Sequence, residues 1–95
     1  MKKIPKFPSF RKVKKLEEAL GEQNIAKALD MIEVIRDDKK PELSKSILSK
    51  VEDNLIYILN NINLDKKIIT NHFKSLLKII QQVVMDNKNN ILLAK

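Results

Sequence analysis

The sequence predicts an all-α fold: a small antiparallel helical bundle of three to four helices, with a long hairpin of the third and fourth and a basic N-terminal arm. Three observations predict it. Apolar residues recur at helical spacing through most of the chain. No segment alternates with the period of two that marks a strand. The breaks between apolar stretches are short and polar, and short connections favour antiparallel neighbours. Residues 1–9 are expected to form a flexible arm and residues 10–95 a single domain, which suits a chain of 95 residues.

Each element has its own reason. Pro5 and Pro8 fix their own φ and disfavour helix at the residues before them, so the arm reads as extended. Ser9 is the expected N-cap of a first helix over residues 10–20, whose apolar face is Phe10, Val13, Leu16 and Leu20. Gly21 is expected to end it in the left-handed conformation. Asn24 caps a second helix with the stripe Ile25, Ala28, Leu29, Ile32 and Ile35. After a polar hinge, Pro41 is the expected start of a third helix reaching residue 61, since proline at a first helical position loses no bond. Its stripe runs from Leu43 through Ile47, Leu48, Val51, Leu55 and Ile58 to Ile62, and Ile56 and Tyr57 widen the apolar face.

Asn63 or Asp65 is expected to cap the fourth helix, with Ile69, Phe73, Leu76, Ile80, Val83 and Val84 inward. The polar run at residues 86–90 is expected to weaken that helix. The apolar tail Ile91, Leu92, Leu93 and Ala94 then either folds back onto the bundle or offers a patch to a partner.

Composition removes most chemistry. There is no cysteine, hence no disulfide, thiolate zinc site or cysteine nucleophile. The single glycine rules out a glycine-rich phosphate loop. His72 is the only histidine and has no partner residue one turn away, so it reads as a boundary residue. The acid pairs Glu17–Glu18, Asp37–Asp38 and Glu52–Asp53 are sequence neighbours; on a helix such neighbours diverge by about 100° and cannot share a proton. A non-enzymatic protein without cofactor or metal is expected. Nothing resembles a signal-peptide core or a membrane span, so a cytoplasmic location is expected.

Charge is the remaining signal. The formal net charge is +7. Residues 1–15 hold seven cations (Lys2, Lys3, Lys6, Arg11, Lys12, Lys14 and Lys15) and no acid, while the rest of the chain is balanced. Cations that neutralise phosphates bind nucleic acid without reading its sequence, and Phe7 and Phe10 add apolar anchors. The second helix carries only Lys27 and Arg36, too few for a DNA-reading helix. The expected function is therefore that of a small accessory subunit of a nucleic-acid machine. It would dock on a larger protein through Phe7, Phe10, Ile56, Tyr57, Ile91, Leu92 and Leu93 and touch phosphates non-specifically through the seven cations.

Two alternatives accompany this reading. In length, basic charge and four-helix layout, with residues 47–59 and 68–80 as the longer helices, the chain resembles bacteriocin-immunity proteins. That resemblance implies action at the cytoplasmic face of a membrane, with the arm on the membrane surface. A structural homo-oligomer pairing its wide apolar faces is the other.

Overall fold

The computed structural model describes the backbone of residues 10–93 and the side chains of residues 10–88. It is all-helical among these residues, with α1 at Arg11–Gly21, α2 at Ile25–Arg36, α3 at Lys45–Asn60 and α4 at Lys66–Leu93. The arm at 1–9, with Ser9 as its expected cap, lies outside them.

Local chemistry explains most boundaries. The α1–α2 turn is closed by Gln23 N–H donating to the Leu20 carbonyl and Asn24 N–H to the Ala19 carbonyl. This is the paired-bond arrangement of a Schellman motif. The left-handed position falls on Gln23, with φ of 56°, and not on Gly21, which is the last residue of α1 and has no positive φ. Gly21 is thus an ordinary helical glycine, and a Cβ there meets nothing within 4 Å. Gly21→Ala is expected to stabilise the fold by about 0.5–1 kcal/mol, read as a higher midpoint in urea unfolding. Asn24 caps α2 as its sequence suggests, its Oδ1 accepting from Lys27 N–H at 3.1 Å.

The third helix starts later than Pro41. Ser44 is its N-cap, its Oγ accepting from Ile47 N–H at 3.3 Å. Leu43 just before the cap and Leu48 in the first turn are both buried, the spacing of a hydrophobic staple that fixes the entry angle of the chain. Asp65 precedes α4, its Oδ1 accepting from Lys67 N–H at 3.2 Å. Residues 86–90 do not interrupt α4. They contain no glycine or proline, and Asn87 donates back to the Val83 carbonyl at 3.4 Å. Residues 91–93 extend this helix and do not fold back.

The helices pack as a ring. α1 lies beside α2 and α4, and α3 beside α2 and α4, whereas the backbones of α1 and α3, and of α2 and α4, stay apart across the core among the described residues. Chain direction alternates around it. Lys12 at the start of α1 meets Asp38 just past α2, Gln23 after α1 meets Thr70 early in α4, and Tyr57 late in α3 meets His72 early in α4.

The most extensive pairing is α1 with α2, and the slightest is α3 with α4. The third and fourth helices are therefore not the spine that their long apolar stripes suggest. Ala19 of α1 and Ala28 of α2 are both fully buried. The core is Leu16, Leu20, Ile32, Ile35, Leu48, Leu55, Ile58, Leu76 and Ile80 with smaller neighbours, and no buried side-chain polar atom lacks a partner among the described residues.

Candidate nucleic-acid interface

The amino end of α1 shows how the predicted cations are used. Phe10 is the N-cap residue and offers no side-chain bond to the helix. The free N–H groups are met from 30 residues away: Glu42 Oε1 accepts from Lys12 N–H and from Val13 N–H, each at 3.1 Å. A helix amino end is a ready anion site, and here the protein's own carboxylate fills it. The Lys12 ammonium is engaged as well, donating to Asp38 Oδ2. That bond, helped by the Lys40 N–H, holds the Asp38 carboxyl below its ordinary pKa. Lys12 is thus part of the α1–loop contact, with its charge answered inside the molecule.

Arg11, Lys14 and Lys15 differ. All three are exposed, on the side of α1 opposite buried Val13, Leu16 and Leu20, and none forms an ion pair with a described residue. Phe10 is half-buried against the core and contributes to the fold. Lys2, Lys3, Lys6 and Phe7 lie outside the described residues.

A second set of cations was hidden by averaging. Lys67, Asn71, Lys74, Lys78, Gln81, Met85 and Lys88 follow one another at alternating steps of four and three along α4, and all are exposed. That spacing keeps them on one face. The four lysines are not ion-paired with any described residue. α4 holds five lysines against the single acid Asp86, which Gln82 engages at 2.8 Å, whereas α2 and α3 each balance two cations with two acids. The lysine face borders α1: Glu17 lies with Gln81, Met85 and Lys88 along one groove, and Gly21 and Gln23 lie with Lys74 along another. A per-helix count of charge would have found this stripe from sequence.

The predicted docking residues divide. Ile56 and Tyr57 on α3 are 42% and 49% exposed. Ile62, read from sequence as the end of the third helix's stripe, is 64% exposed, and Leu59 and Ile68 are 48% and 45% exposed. Tyr57 stacks at a tilt on His72, ring centroids 5.7 Å apart, which accounts for the lone histidine as an aromatic neighbour at the α3–α4 boundary. Ile91, Leu92 and Leu93 belong to α4, with side chains outside the described set.

A concavity of about 710 Å³ sits beside Phe10, Pro41 and Leu43, and the acids Asp38 and Glu42 and the lysines Lys40 and Lys45 line it in equal number. Among the described residues no three of His, Cys, Asp and Glu gather as a metal site, and no helix is long and apolar enough to cross a membrane. No family model, curated protein or solved structure matches the chain.

Proposed function

We propose that the protein is a non-enzymatic accessory subunit that docks on a larger protein and holds nucleic-acid phosphates without reading sequence. The observation that carries this is the unanswered charge at the start of the bundle. Arg11, Lys14 and Lys15 project outward from α1, continuing the cationic Lys2, Lys3 and Lys6, and no acid occurs before Glu17. Such charge gives salt-sensitive, sequence-indifferent affinity. The exposed Ile56, Tyr57, Leu59 and Ile62 provide apolar area for the protein partner.

The membrane alternative fits less well. A helix that lies in a lipid surface turns apolar side chains outward. The outward face of α1 carries Arg11, Lys14, Lys15 and Glu18, and the α4 stripe carries lysine, asparagine and glutamine with Met85 its apolar exception.

The test is fluorescence anisotropy with labelled duplexes of unrelated sequence across a KCl series. Kd is expected to be indifferent to sequence and to weaken steeply with salt. Replacing Lys2, Lys3 and Lys6 together by Gln, or Arg11, Lys14 and Lys15 together by Gln, should each flatten the log–log slope by up to about 3. The substitutions leave Phe10 and Val13 in place, which a deletion through residue 15 would not. Absence of binding by the unaltered protein at low salt overturns the reading.

A further inference from the structure

We infer that the lysine face of α4 is a second, longer contact track, and that the polyanion it fits is a nucleic-acid duplex. This rests on the phosphate-binding reading above but on different residues.

Three features of the face carry it. Its length is the first. From Lys67 to Lys88 the helix rises about 32 Å, with Lys74 and Lys78 between. That is close to one turn of B-form DNA, about 34–36 Å. Cations fixed along one unbroken helix favour a partner that holds its shape over that length. A duplex is stiff over about 150 base pairs, and a single strand is not. The second feature is what the face lacks. Single-strand binding grooves stack bases on aromatic rings. Among the described residues the aromatic rings are off the stripe: Phe73 is buried, Phe10 is half-buried, and Tyr57, on α3, faces His72. Between the lysines stand Asn71 and Gln81, whose amides donate to phosphate oxygens as well. The third is neighbourhood. The stripe borders α1 across a groove to which α1 contributes Glu17, and the exposed Arg11, Lys14 and Lys15 lie on the outward side of that same helix.

The decisive variant is K67Q/K74Q/K78Q in the full chain. All three side chains are exposed and unpaired with described residues, so the urea midpoint should stay at the parental value. Binding to a 25-base-pair duplex should lose about 2 to 3 from the magnitude of its log–log salt slope and at least about tenfold in affinity at low salt. The parent should prefer that duplex to a single strand of equal length. A variant that keeps the parental slope while R11Q/K14Q/K15Q loses it overturns the α4 track and leaves the function above intact. Equal parental affinity for the single strand overturns the assignment to a duplex. Parental binding to phosphatidylserine vesicles with none to either nucleic acid overturns both readings.

Discussion

Phe73→Ala is expected to destabilise the protein by about 3–5 kcal/mol. α4 is 28 residues long, yet its fully buried side chains among those described are Phe73, Leu76 and Ile80. Phe73 is the largest of the three, is 3% exposed, and lies beside Leu20 of α1 where the two helices begin to pack. Truncating it removes the ring's burial and leaves a void that a small core closes only in part. In a domain with total stability of about 5–15 kcal/mol this is a large share. The urea midpoint should fall with little change in the slope m, and the thermal midpoint should drop by at least about 12 °C. Met85→Ala is the control on the same helix. At 57% exposure it should change stability by less than about 0.5 kcal/mol. Equal effects of the two substitutions would mean that α4 is not anchored where the structure places it.

Glu42→Ala is expected to cost about 1–2 kcal/mol, as loss of a helix cap does. One carboxylate serves the N–H groups of both Lys12 and Val13, and no other side chain among the described residues caps the start of α1. Glu42→Gln keeps an oxygen acceptor and loses the charge that favours the positive end of the helix, so it should fall between the parent and the alanine variant. Urea unfolding of the three proteins at neutral pH gives the order directly. An alanine variant as stable as the parent would show that water caps α1 equally well. The same substitution bears on function. It removes a carboxylate from the root of the cationic segment and frees two N–H groups, so duplex affinity at low salt should rise modestly in the folded variant.

The four helix starts show what local sequence can and cannot reveal. Asn24 and Asp65 are legible because the side chain and the N–H groups it serves are neighbours in the chain. Ser44 is equally local, but Pro41 three residues earlier offers a competing start, and only the burial of Leu43 and Leu48 decides between them. The cap of α1 is not legible, because its acceptor is 30 residues away and reaches the helix only through the packing of α2 on α1. Lys12 follows the same logic. Its sequence context is indistinguishable from that of Lys14 and Lys15, and its different role comes from Asp38, delivered by the fold. The α4 stripe was available in the sequence. It was concealed because residues 16–95 sum to zero, and the surplus on α4 cancels the acids of the remainder.

The ring order of the helices sets an orientation. The two helices with surplus positive charge, α1 and α4, are neighbours, and so are α2 and α3, which carry the exposed Val34, Ile56, Tyr57 and Leu59. On the function proposed above, a polyanion laid along α1 and α4 would leave α2 and α3 uncovered, so that a second macromolecule would be held without any rearrangement of the bundle.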